Sequence, residues 1–90
     1  MAVITNTVVA GTSATLLYRN DTYNPQQVTF TTHNNSADVY VGGSTVTPSS
    51  NGIVFAKSLI YYITVPAGET LYCAGNGTDT VKWLAYEDVI

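Results

Sequence analysis

Few side chains in this 90-residue chain could carry chemistry. His33 is the one histidine and Cys73 the one cysteine. A Ser/His/Asp relay needs a serine and a carboxylate brought to the histidine. The Gly-x-Ser-x-Gly elbow that exposes such a serine is absent. His33 therefore reads as a polar residue at a strand end. Cys73 stands in Leu71-Tyr72-Cys73-Ala74 with no basic neighbour in sequence to favour a thiolate. It reads as a small buried hydrophobe. The carboxylates Asp21, Asp38, Glu69, Asp79, Glu87 and Asp88 fall mostly in expected loops. A glycosidase pair among them would need a cleft, which so short a chain can hardly wall in. Glu87-Asp88 reads as a solvated tail. There is no EF-hand loop, P-loop or His-Glu-x-x-His, and no Cys/His pattern with four zinc ligands. The expectation is a protein with no catalytic residue, no cofactor and no metal.

Composition narrows the class further. Charged residues make up 10% of the chain, against about 25% in an average domain. Hydrophobic residues make up 46%, so the chain is not of the disordered type. The net charge is −3. No basic stripe is available for nucleic acid. The apolar runs are far shorter than the roughly 20 residues of a bilayer span. Met1-Ala2-Val3-Ile4-Thr5-Asn6 lacks the basic and long apolar regions of a signal peptide, so synthesis in the cytosol is expected. The Asn-x-Ser/Thr triplets at Asn20, Asn34 and Asn76 are no more than this Asn-, Ser- and Thr-rich composition produces by chance.

The elements that would position any site are strands. Thr, Val, Tyr and Ile dominate over strong helix formers. Apolar residues alternate: Val28, Phe30 and Thr32 share one face, Val39 and Val41 oppose Tyr40, and Val81, Trp83 and Ala85 oppose Lys82, Leu84 and Tyr86. Turn chemistry interrupts these runs. Gly11-Thr12-Ser13 parts residues 5–10 from 14–18, and residues 20–25 form a longer polar loop. Gly42 and Gly43 are expected to end a strand. Gly52 and Gly77 follow Asn in the manner of hairpin turns. Pro66-Ala67-Gly68 fits a type I turn with Pro second. Gly42, Gly43, Gly52, Gly68 and Gly77 are thus the expected turn residues. The reading is a single all-β domain, residues 1–90, a small sandwich or barrel of about seven to nine short antiparallel strands.

A small domain hides only about 63% of its surface by scaling, and one cysteine allows no internal staple. Two strands, residues 59–63 and 81–86, look apolar on both faces. With so little charge to guard edges, contact with another chain is expected. Tyr40, Tyr61, Tyr62, Trp83 and Tyr86 are the candidate interface aromatics.

The stretch Ser36-Ala37-Asp38-Val39-Tyr40-Val41-Gly42-Gly43-Ser44-Thr45-Val46-Thr47, followed by Ser50-Asn51-Gly52, resembles a pattern of small virion proteins of tailed bacteriophages. So does Val65-Pro66-Ala67-Gly68-Glu69-Thr70-Leu71-Tyr72-Cys73-Ala74. The resemblance runs over residues 5 to 86. It departs at residues 56–62, where the pattern carries a polar Gly-Glu turn, and at Gln26-Gln27, where basic residues are common. What it implies is a β-module of the virion, made in the host cytoplasm. The first role implied is a capsid decoration (cement) protein that binds the major capsid protein and forms a trimer or other cyclic oligomer. The alternative is a receptor- or glycan-binding module of a tail or fibre. Neither role involves nucleic acid or membrane.

Overall fold

In a computed structural model, which describes residues 2–87, every regular element is a strand. The eight are β1 (Ala2–Val9), β2 (Thr15–Arg19), β3 (Gln26–Thr31), β4 (Val39–Thr47), β5 (Ser50–Phe55), β6 (Ile60–Val65), β7 (Thr70–Ala74) and β8 (Thr80–Glu87). Glu87, read from sequence as part of a tail, is the last residue of β8. Asp88 lies outside the described residues. The strands form two four-stranded antiparallel sheets, β1-β8-β3-β6 and β2-β7-β4-β5. The chain switches sheet at each connection except β4–β5, which is the order of a jelly roll. The all-β expectation holds, and the strand number falls within the expected range.

Alternation explains the layers. In β3, Val28 and Phe30 are fully buried while Gln27 is exposed. Val39 and Val41 of β4, Val65 of β6, and Val81 and Ala85 of β8 meet them in one core. Rings tie the layers together. Tyr18 of β2 meets Trp83 of β8 edge-on at 4.9 Å, and Phe55 of β5 stacks on Tyr61 of β6 at 4.2 Å. Such pairs add about 0.5–1.5 kcal/mol beyond their burial. The accessible surface, 5190 Å², is close to the roughly 5,100 Å² that scaling gives for this mass.

The turns differ from the sequence expectation in four respects. Asn51-Gly52 is not the β4–β5 turn; that turn is Thr47-Pro48-Ser49-Ser50, where Thr47 Oγ1 accepts the Ser50 N–H at 3.0 Å. Asn51 takes the left-handed conformation (φ 62), and Gly52 does not. Gly42 and Gly43 do not end a strand, because β4 continues through them to Thr47. Glycine at 42 and 52 answers a close approach instead. A Cβ on Gly42 would lie 2.7 Å from Asn51 O, and one on Gly52 would lie 2.7 Å from Val46 Cγ2 and 2.8 Å from Val41 O. There β4 bulges: residues 43–46 span what Asn51 alone spans in β5.

The other two differences lie in connections between the sheets. The Pro66 carbonyl accepts the Glu69 N–H at 3.2 Å, so Pro66 stands first in its turn and Gly68 third. With φ +78 at Gly68 this is the type II pattern. Gly77 has φ +86, but it lies in an arch from one sheet to the other and forms no hairpin. A hairpin would leave both strands in one layer, whereas an arch lets each cover the other's apolar face.

Candidate interaction surface

The five aromatics expected at an interface do not share a face. Tyr61 and Trp83 point inward with the rings just described, and the Tyr61 hydroxyl accepts the Ala56 N–H at 2.7 Å. Tyr40 lies half-buried on the outside of the β2-β7-β4-β5 sheet, opposite Val54. Only Tyr62 and Tyr86 stand on the outside of the β1-β8-β3-β6 sheet, 67% and 43% exposed. The sequence could not decide this, because the neighbours Tyr61 and Tyr62 are interchangeable by residue type.

The outer face of that sheet can be laid out from its registers. One row runs Thr5, Leu84, Thr29, Tyr62, and the next runs Thr7, Lys82, Thr31, Ile60. Val3 pairs with Tyr86, and Val9 lies at the other end of β1. Val3, Val9, Ile60, Tyr62 and Tyr86 are all exposed. Lys82 is the one charged side chain among the described residues of this face. At its centre is an open hollow of about 580 Å³, lined by Thr5, Thr7, Thr29, Thr31, Lys82 and Leu84 with Asn6 and Trp83. Its polar lining is hydroxyl, amide and a single ammonium group. Ile60 belongs to the stretch 59–63 expected to be apolar on both faces, whereas Val3 and Val9 were not singled out from sequence; period-two counting outward from the buried positions would have found them.

The residues suited to chemistry are dispersed. His33 is exposed in the turn after β3, where its backbone N–H donates to Thr31 Oγ1. Among the described residues its ring has no hydroxyl or carboxylate partner. Cys73 is fully buried, and burial pushes its thiol up to about 11. Among the described residues no group of three or more His, Cys, Asp or Glu could hold a metal ion, and no helix is long and apolar enough to cross a membrane.

Two polar residues to which the sequence reading gave no structural role organise the ends of the sandwich. Asn20 is fully buried. Its Nδ2 donates to Asn24 O and Val65 O, both at 2.9 Å, and its Oδ1 accepts Thr22 N–H at 3.0 Å and Thr22 Oγ1–H at 2.7 Å. Its backbone N–H and carbonyl bond Glu69 and Gly68. The β2–β3 and β6–β7 connections are thereby joined. Asp79 does the same at the opposite end. It accepts the N–H groups of Ser36 (3.1 Å) and Ala37 (2.9 Å), the Ser36 hydroxyl and Asn76 Nδ2. The Ser36 N–H foremost holds the Asp79 carboxyl below its ordinary range. The Asn-Asp-Thr run at 20–22 carried the signature of an Asx turn; nothing local marked Asp79.

No family model matches the chain, and no curated protein matches it. A solved structure is similar in fold: a chain from the work titled "Bacillus endospore appendages form a novel family of disulfide-linked pili" superposes with a TM-score of 0.60. It is 14% identical, over 98% of this chain and 87% of that one. The likeness is one of fold, and the protein belongs by its topology to the eight-stranded jelly-roll sandwiches.

Proposed function

We propose that this protein is a non-catalytic structural subunit that works by packing against other copies and a neighbouring protein in a multi-copy particle. The more specific role is the one the sequence resemblance implies, a capsid decoration protein on a bacteriophage head. The carrying observation is the outer face of the β1-β8-β3-β6 sheet, where Val3, Val9, Ile60, Tyr62 and Tyr86 stand exposed around a single charge. A partner seated on this face would cover those apolar residues together with the threonine-lined centre between them. Burying about 800 Å² per partner makes a contact of standard size. Jelly rolls recur in viral capsid proteins, a support by analogy of fold alone. The similar solved chain comes from endospore appendages that form disulfide-linked pili, again an analogy of fold alone. A disulfide linkage like that of those pili is closed to this chain's folded form through Cys73, which is buried.

A second reading, a glycan-binding module on a tail or fibre, draws on the hydroxyl-lined hollow around Thr5, Thr7, Thr29 and Thr31. Copy number separates the two: hundreds per purified particle for a shell protein, a handful for a tail. The contact itself is tested by sedimenting protein with particles in rising NaCl. An apolar contact persists towards about 1 M, where the Debye length is about 3 Å. Tyr62→Ala should release the protein more readily than Lys57→Ala. A monomer at high micromolar concentration that binds no particle, or release of the wild type by moderate salt, refutes the reading.

A further inference from the structure

The dipeptide Asn-Gly occurs twice, at Asn51-Gly52 and Asn76-Gly77, and the fold holds the two asparagine side chains differently: one long hydrogen bond at Asn51, five at Asn76. We propose that Asn51 is a site of spontaneous covalent modification, converting to aspartate and isoaspartate in the folded protein, while Asn76 is shielded from it. The reaction is intramolecular. The Gly52 backbone nitrogen bonds to Asn51 Cγ, the Cγ–Nδ2 bond breaks, and ammonia leaves with the proton that Gly52 N gives up through solvent. The resulting five-membered imide then takes up one water. Opening at the backbone carbonyl gives isoaspartate, and opening at the side-chain carbonyl gives aspartate. Nothing is oxidised or reduced, and solvent water is the only co-reactant.

At Asn51 the electrophile is loosely held. The side chain is exposed, and its amide makes one long hydrogen bond, Nδ2 to Thr45 O at 3.3 Å. β5 is an edge strand, paired on one side with β4 alone. The following residue has to be glycine, because a Cβ there would strike Val46 and Val41 O. Gly52, a ladder partner of Gly42, therefore places no side chain of its own beside the attacking nitrogen. The bulge that requires glycine at 52 thus brings the reactive pair with it.

At Asn76 both reacting groups are engaged. Oδ1 accepts Thr78 N–H (3.0 Å), Thr78 Oγ1–H (3.1 Å) and Asp79 N–H (2.8 Å). Nδ2 donates to Asp79 Oδ2 (3.0 Å) and Ser36 Oγ (3.3 Å). The nucleophile, Gly77 N–H, donates to Ala10 O at 2.8 Å. Ring closure there would break most of these bonds at once. The consequence of reaction at 51 falls on an edge that carries no charge of its own, Ser50 to Phe55. Each conversion adds a carboxylate to that edge, which discourages pairing with another strand.

The test is to hold the native protein in mildly alkaline buffer and map the amide-to-acid change by peptide mass, with released ammonia as a second measure. Asn51 is expected to convert at least about tenfold faster than Asn76, the ratio that about 1.4 kcal/mol of restraint imposes. In denaturant the two sites should convert at similar rates. Asp79→Asn, which loosens the clamp, should raise conversion at Asn76 and leave Asn51 unchanged. Equal rates at the two sites in the native protein would overturn the proposal. So would an Asn51 that stays intact natively while converting in denaturant.

Discussion

Replacing Asn20 should destabilise this protein more than any other single polar change. In Asn20→Ala four side-chain hydrogen bonds vanish. Three of them involve Thr22 and Asn24, on a loop where water can take over. The fourth partner, Val65 O, lies in the buried layer 45 residues away. An orphaned buried acceptor costs about 1–3 kcal/mol, and each bond replaced by water a further ~0.5. The sum is about 3 kcal/mol. For a domain of this size each kcal/mol moves the melting point by about 4–8 °C, so a drop of roughly 12–24 °C is expected. Asn20→Asp keeps the shape and the two accepted bonds but sets a carboxylate oxygen against the carbonyls of Asn24 and Val65. That repulsion, with burial, raises the carboxyl pKa in the folded state above its unfolded value. The folded variant then binds more protons than the unfolded one, so its stability rises as pH falls towards about 4. Thermal melts followed by circular dichroism across pH measure both effects. A loss under about 0.5 kcal/mol in Asn20→Ala, the size of an ordinary surface change, would refute the assignment of Asn20 as the tie between the two connections. An Asn20→Asp protein that does not gain stability on acidification would refute the donor geometry.

Two further outcomes are expected. Asp79, whose carboxyl is held low by the Ser36 N–H, contributes stability above its unfolded pKa and loses it as pH falls through the folded one. Wild-type melting temperature should therefore decline below about pH 4, and Asp79→Asn should be less stable at neutral pH with a flatter acid limb; parallel curves for the two proteins would disprove the clamp. Gly52→Ala should cost about 1–3 kcal/mol by overpacking against Val46 and Val41 O. Gly43→Ala, whose Cβ meets nothing within 4 Å, should be neutral or stabilising. Equal denaturant midpoints for the two variants would contradict the close approach of β4 and β5.

The period-two pattern was legible residue by residue. Val28 and Phe30 go in, and Tyr40 opposes Val39 and Val41, because a strand has only two faces and the apolar set must choose the core. That rule decides nothing where both sets are apolar. Tyr61 and Tyr62, or Trp83 and Leu84, could each have been inside; the rings of Phe55 and Tyr18 on the facing sheet selected Tyr61 and Trp83. Turn residues marked the bends at Gly68 and Gly77 but not which sheet the chain bends into, and Gly42, Gly43 and Gly52 marked none, since they lie within β4 and β5. Asn-Gly at 51–52 sits within a strand and at 76–77 in an arch, because eight short strands bury most apolar area when nearly every connection crosses the core. The two polar ties were beyond local reading for the same reason. Asn20 meets Val65, and Asp79 meets Ser36, across 45 and 43 residues of chain. Only the closing of one sheet over the other brings those groups within reach.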